Sequence, residues 1–184
     1  ALPDIQTGFF YPFNLVPNVL VAASGLGPFL AWPNQSAILV AQVILHFSLA
    51  SLFTYLLVRH LTRRAGARLP AARFSGAIAA LTFTYSGYLT SFPVQQITIL
   101  ETAVWLPLVL YFLDRAFHMG RPLTNLLLAG LALACALLAG HPQTAMHLTY
   151  ASLAYALLLG WSARATQRLV RGAGSVLLPF CVGV

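Results

Sequence analysis

The stretch Ser36–Val58, SAILVAQVILHFSLASLFTYLLV, holds 23 residues without an Asp, Glu, Lys or Arg. At about 1.5 Å of rise per residue, a helix of this length reaches about 35 Å, which is enough to cross the hydrocarbon core of a bilayer with some tilt. Arg59 ends the run. The stretch therefore predicts a transmembrane helix, and this prediction guides the interpretation of the rest of the chain.

The composition of the whole chain points the same way. Apolar residues make up 59% of the 184 residues, charged residues only 7%, and the mean hydropathy is +0.82. An average soluble domain carries roughly 25% charged residues. So few charges cannot cover a globule in water, which excludes a soluble domain and a disordered tail. Cys135 and Cys181 both lie inside apolar runs, so no disulfide framework is predicted.

Further apolar runs follow the first one along the chain. We predict an all-α, polytopic membrane bundle with an extracytoplasmic interfacial loop at residues 1–35 and a transmembrane region at residues 36–184. About five full spans and a truncated sixth are expected, at residues 36–58, 74–89, 102–113, 123–139, 142–160 and 174–184. Because the last run is too short to cross a bilayer, the chain is expected to be a piece of a longer protein.

The N-terminal loop contains an apolar but interrupted segment at residues 9–32. Pro12, Pro17 and Pro28 break any long helix there. Aromatic residues at both of its ends suit the headgroup region of a bilayer. An interfacial or re-entrant segment along the outer leaflet is therefore predicted, instead of a clean span.

The basic residues are sorted between the two sides of the predicted bundle. All ten are arginines, and loops 59–73, 114–122 and 161–173 hold five, two and three of them. Since positively charged loops stay cytoplasmic, these three loops are predicted inside and the N-terminal loop outside. The arginines then report membrane orientation, and no nucleic-acid partner is predicted.

Two features on the predicted outer side could bind a ligand. Gly140-His141-Pro142-Gln143 forms a tight turn that puts His141 beside the positive end of a helix dipole, where a phosphate is favoured. A plain hairpin turn with a capping histidine is the alternative. Gln143, His147 and Tyr150 follow at i, i+4 and i+7, as the wall of an outward-facing cavity or as interhelical hydrogen-bonding groups.

The remaining polar candidates are carboxylates and one histidine pair. Asp4 and Glu101 are the only carboxylates on the outer side, and Glu101 would also suit the N-terminus of the third span. Gln42 and His46 form an i, i+4 pair in the first span. A neutral, hydrogen-bonded His46 is one interpretation; a haem or chlorophyll ligand, together with His147, is the other. Asp114 beside Arg115 predicts an interfacial ion pair at the inner end.

A set of motifs in order resembles a known family. They are Asp4–Leu15 (DIQTGFFYPFNL), His46–Ala50 (HFSLA), Tyr55–Arg59 (YLLVR), Ser86–Tyr88 (SGY), Trp105–Leu108 (WLPL) and Ala139–Thr144 (AGHPQT). Together they are similar to the bacterial YfhO-type membrane proteins, which belong with the GT-C glycosyltransferases. The resemblance covers nearly all of this chain. Because members of the family are several times longer, it implies that the chain is an N-proximal portion.

This resemblance implies a multi-pass enzyme of the bacterial inner membrane. Such enzymes move a sugar from a polyprenyl-phosphate donor to a cell-envelope acceptor at the outer face. Asp4 and Glu101 become the catalytic candidates, as a general base or as holders of a divalent cation. The substrate and phosphate contacts would come from Gln6, His141, Gln143 and His147. The acidic residue that the family carries soon after its first span would precede Ala1, so Asp4 is offered as a second acid. No residue is assigned to a resident metal.

Two other functions remain open from the residues. The chain could be a non-catalytic accessory subunit of a larger respiratory or photosynthetic membrane complex, with other membrane subunits as partners and pigment or haem as its cofactor. It could also be a transporter or flippase, since proline-broken helices occur there. Membrane lipids are expected partners in every case.

Overall fold

The computed structural model describes residues 10–15, 19, 23, 33–91, 96–119 and 121–181 of this protein. In those ranges every regular element is a helix, which confirms the all-α class. Beside a helical turn at residues 12–15, the described residues form seven helices: α1 (Pro33–Arg64), α2 (Leu69–Thr84), α3 (Gly87–Thr90), α4 (Ile97–Ala103), α5 (Leu106–His118), α6 (Pro122–Leu138) and α7 (Pro142–Cys181).

The turn between α1 and α2 is a Schellman motif. Gly66 has a φ of 91°, its N–H donates to the Arg63 carbonyl at 3.0 Å, and the Ala67 N–H donates to the Thr62 carbonyl at 3.1 Å. Glycine suits this left-handed position because it has no Cβ. The motif reverses the chain, so that α2 packs back along α1.

Helix α2 packs on α1 through small side chains. Ala72, Gly76, Ala80 and Thr84 recur every fourth residue and are all buried. Small residues at this spacing let two helix backbones approach closely. The Thr84 hydroxyl also lies 2.8 Å from that of Ser51 on α1. The pair α1 and α2 therefore forms the first half of the bundle.

Helices α4 to α7 form the other half. α4 and α5 are separated only by Val104 and Trp105, and α5 packs against α1, α6 and α7. The buried face of α6 consists of Asn125, Ala129, Ala132 and Ala136. Gly130 of α6 has nothing within 4 Å of the position that its Cβ would occupy.

Several helix limits differ from the sequence prediction. α2, which corresponds to the predicted span 74–89, ends at Thr84. α4, which precedes the predicted span 102–113, already begins at Ile97. α1 continues past Arg59 to Arg64, and α7 runs through the predicted basic loop 161–173 to Cys181, so the sixth span is not a separate helix. The reason is that arginine is a good helix former: a basic cluster marks the water interface but does not end a helix.

The described bundle exposes large apolar side chains and buries two carboxyl groups. Leu127, Leu157 and Trp161 are 74%, 66% and 80% exposed, whereas Glu101 and Asp114 are fully buried. Among the described residues, two helical stretches, Leu39–Arg64 and Ile97–His118, are long and apolar enough to cross a membrane, and Pro122–Leu138 is apolar but shorter.

Candidate functional site

A buried aromatic cluster holds the N-terminal segment on the bundle. Tyr11 is fully buried, its hydroxyl lies 2.8 Å from His46 Nε2 of α1, and it accepts a hydrogen bond from Trp105 Nε1 at 3.1 Å. His46 Nδ1 lies 2.7 Å from the Gln42 carbonyl. A carbonyl oxygen only accepts, so Nδ1 carries the hydrogen and Nε2 accepts from Tyr11. Burial raises the pKa of the Tyr11 phenol, which keeps this donor protonated.

A second set of contacts continues from this cluster to Glu101. The Gln42 side-chain amide donates to Asn14 Oδ1, and Asn14 Nδ2 donates to Glu101 Oε2 at 3.3 Å. The Asn14 amide donates to the carboxyl group directly, and Gln42 polarises that amide by donating to its oxygen, so the Asn14 dipole favours a negative charge on Glu101. We call Tyr11, Asn14, Gln42, His46, Glu101 and Trp105 the outer network, after the side of the membrane that the sequence predicts for this end of the bundle.

Glu101 is placed differently from the sequence expectation. It lies in the last turn of α4 and is fully buried, instead of opening a helix at the edge of a loop. Its Oε1 has no hydrogen-bond partner among the described residues. A buried carboxyl oxygen without a partner is unfavourable and can receive a donor from a ligand.

The predicted phosphate-binding turn adopts the geometry of a capped helix. Gly140 has a φ of 86°, and His141 Nδ1 accepts from the Thr144 N–H at 3.2 Å and lies 2.7 Å from the Thr144 hydroxyl. The His141 carbonyl accepts from the Ala145 N–H, as an N-cap does. His141 therefore satisfies one of the free amides of α7, and Nε2 is the ring nitrogen left for a ligand.

Gln143 and His147 face away from the described bundle. Both are exposed, and Tyr150 of the same stripe is 60% exposed. The interhelical interpretation of this stripe therefore does not hold within the described helices. A cleft of about 380 Å³ lies between α6 and α7. Tyr150 of the stripe lines it, together with Leu137, Gly140, Pro142, Ala145, Met146 and Thr149. Asp4 and Gln6 lie outside the described residues.

The described residues do not form a binding site that suits a metal ion or a pigment. Within the described ranges no three His, Cys, Asp or Glu side chains come together as a metal-binding group. Both ring nitrogens of His46 are engaged, by Gln42 and Tyr11. An iron or magnesium ion at His46 would have to displace Tyr11, so this histidine does not fit the role of an axial ligand.

A second polar cluster lies at the other end of the bundle. Asp114 is fully buried and contacts His60 Nε2 at 2.8 Å, the Arg64 guanidinium, and the Tyr155 hydroxyl at 3.0 Å. The predicted pairing of Asp114 with Arg115 is wrong, because Arg115 lies over the Tyr111 ring and donates to its hydroxyl. We call Asp114, His60, Arg64 and Tyr155 the inner cluster, after the predicted cytoplasmic side. It joins α1, α5 and α7.

Tyr11, Asn14 and Trp105 were not among the site residues predicted from the sequence. The signals were present, since all three lie in the motifs quoted for the family resemblance. The sequence did not indicate that these residues meet, because Tyr11 is 35 residues from His46 and 94 residues from Trp105.

The Tyr11 hydroxyl is expected to stabilise the docked segment. In a Tyr11→Phe variant, His46 Nε2 and Trp105 Nε1 lose their shared partner in a buried place, at a cost of about 1–3 kcal/mol. Hydrogen–deuterium exchange of the peptide around residues 10–15 should become faster, while that of α6 stays the same. Tyr88→Phe is the control, because Tyr88 is 57% exposed. Equal exchange in the two variants would contradict the role of the hydroxyl.

No protein-family model, curated protein or solved structure matches this chain.

Proposed function

We propose that this chain belongs to a polytopic enzyme of the bacterial inner membrane that transfers a sugar from a polyprenyl-phosphate donor to a cell-envelope acceptor at the outer face. The observation that carries the proposal is Glu101, a buried carboxyl group that is held by the N-terminal segment and keeps one oxygen without a described partner. The family resemblance supplies the reaction class.

Placement in a membrane is supported by the exposed apolar surface of the bundle. Exposed leucines surround helices whose interior holds His46, Glu101 and Asp114. In this proposal α1, α2, α4 with α5, α6 and the first part of α7 make five passes. α2 and α6 have 16 and 17 residues and are each only about 25 Å long. Because this is shorter than the hydrocarbon core, they would cross with little tilt, in a locally thinner bilayer.

The orientation is supported by the separation of the two polar clusters. On α1, His46 belongs to the outer network and His60 to the inner cluster, 14 residues apart, or about 21 Å along the helix axis. Arg64 of the inner cluster lies in the first arginine-rich loop of the sequence prediction. Because arginine-rich ends stay cytoplasmic, the outer network and Glu101 would face the outside.

The chemistry proposed at Glu101 is general-base catalysis. An acceptor hydroxyl that reaches Oε1 would donate its proton to the carboxylate as its oxygen attacks the anomeric carbon. The bond from that carbon to the phosphate oxygen breaks, and the polyprenyl phosphate leaves with the electron pair. His141 and the N-terminus of α7 would receive the phosphate, and Asp4 would serve as a second acid, either directly or through a divalent cation.

The test is sugar transfer by the full-length protein in its own membranes. Glu101→Gln is expected to lower kcat by about 10²–10⁴-fold, because removing a general base removes that contribution. Asp4→Asn and His141→Ala should lower transfer as well, and Tyr88→Phe should not. The proposal fails if the Glu101, Asp4 and His141 variants all transfer sugar at the rate of the wild type.

A second candidate function is that of an accessory subunit in a larger membrane complex. The observation that favours it is the exposed stripe of Gln143, His147 and Tyr150, because polar groups at membrane depth normally face protein. Copurification of a defined partner, together with a visible absorption band, would favour this function over the enzyme.

A further inference from the structure

The inner end of the bundle presents a group of arginines of which only Arg64 contacts a carboxyl group among the described residues. Arg63, Arg64 and Arg68 flank the turn between α1 and α2, Arg121 begins α6, and all four are exposed. Asp114 is the only acid in residues 102–184, and it is fully buried. Within the part of the chain that the structure describes, Asp114 contacts Arg64, and the other three arginines have no carboxylate partner.

Contacts at the inner cluster bring these arginines to one place. Arg64 Nη1 lies 3.0 Å from Nδ1 of His118, the last residue of α5, and Arg121 follows His118 by three residues. On the other side, Arg63 Nη1 donates to the Ala67 carbonyl at 3.1 Å, next to Arg68. The two turns are therefore neighbours. We call Arg63, Arg64, Arg68, His118 and Arg121 the basic corner.

The helix termini at the basic corner add to the positive potential. Arg68 and Arg121 occupy the N-cap positions of α2 and α6, and neither helix has a side-chain cap or an acid in its first turn. The N-terminus of a helix carries a partial positive charge, so an arginine is repelled there unless an anion lies beside it. Both helices begin with such an unbalanced charge.

Apolar side chains are exposed beside the arginines. Leu69 and Leu123, which follow Arg68 and Arg121 closely, are 36% and 76% exposed, and Met119 is 49% exposed. A nucleic acid or free phosphate would leave these side chains in water. A lipid would match both features, with a phosphate on the guanidinium groups and acyl chains on the leucines.

We propose that the basic corner binds an anionic phospholipid through its phosphate group. The occupant is a lipid whose headgroup has no balancing amine, and charge complementarity selects it over a zwitterionic lipid. This inference rests on the membrane placement proposed above, but not on sugar transfer.

Native mass spectrometry of the full-length protein tests the proposal, after detergent solubilisation with equal amounts of phosphatidylglycerol and phosphatidylcholine. The wild type should retain phosphatidylglycerol preferentially. Arg68→Gln and Arg121→Gln should each lower the ratio of lipid-bound to free protein about fivefold, because each arginine near an anionic surface contributes about that factor. Arg73→Gln is the matched control: Arg73 is exposed, but it lies five residues along α2 and about 140° around the helix from Arg68.

Several outcomes would overturn the proposal. These are equal retention of the two lipids, equal losses in the Arg73 control and the two test variants, displacement of the lipid by millimolar inorganic phosphate, and tighter capture of single-stranded RNA than of phosphatidylglycerol vesicles. Far-UV circular dichroism of each variant verifies that it is folded. Retention of phosphatidylglycerol by a protein that shows no sugar transfer would support the lipid site while contradicting the proposed function.

Discussion

Replacing Asp114 with asparagine is expected to lower the free energy of unfolding by about 1.5–3 kcal/mol, the usual contribution of hydrogen bonds to a buried charged group. The Asp114 carboxylate is fully buried and accepts from Arg64, His60 and Tyr155. Asparagine keeps the volume but removes the charge, so Arg64 loses its counter-ion. Because these partners come from two helices other than α5, the loss should loosen the packing of α1 and α7 together.

The measured quantity is the SDS mole fraction at the midpoint of unfolding in mixed detergent micelles. Arg115→Gln is the matched control, since Arg115 neighbours Asp114 in sequence but contacts Tyr111 instead. Its loss should cost about 1 kcal/mol or less. Tyr155→Phe should fall between the two, because it removes one hydrogen bond and no charge. Equal midpoints for the Asp114 and Arg115 variants would show that the inner cluster does not stabilise the bundle.

Gly76→Ala is expected to separate α1 from α2 and to cost about 1–3 kcal/mol by overpacking. A Cβ at Gly76 would lie 2.9 Å from Cδ2 of the Tyr55 ring and 3.1 Å from the Tyr55 carbonyl oxygen. The ring can rotate away, but the carbonyl oxygen is part of the α1 backbone, so the helices themselves have to move.

Gly130→Ala on α6 is the control for this substitution. A Cβ at Gly130 would have nothing within 4 Å, and alanine is a better helix former than glycine by about 1 kcal/mol. The Gly130 variant should therefore unfold at the same SDS fraction as the wild type or a higher one. If both variants lose stability equally, the close approach of α1 and α2 at Gly76 is not what holds them together.

Much of the helical architecture could be predicted from local patterns. The run at residues 36–58 lies within α1, the predicted helix 123–139 agrees with α6 to one residue at each end, and the turn at Gly140 and His141 has the expected geometry. These features depend on neighbouring residues: a run of apolar side chains, a glycine that tolerates positive φ, and a proline in a first helical turn.

Helix limits beside charged residues were harder to predict. Arginines end an apolar run, but α1 continues through Arg63 and α7 continues past residue 161. Hydropathy reports where a side chain prefers to lie relative to the membrane, whereas the end of a helix depends on backbone hydrogen bonds and caps. The two boundaries coincide only where a glycine or proline is near.

The sequence by itself determined that the chain is helical and that its arginines gather in three segments, because both are properties of consecutive residues. Only the tertiary structure decided the partners of the buried polar groups. Arg64 is 50 residues from Asp114, and Trp105 is 94 residues from Tyr11. Each of these side chains could satisfy its hydrogen bonds with several groups, and packing the apolar faces of the helices selects which ones meet.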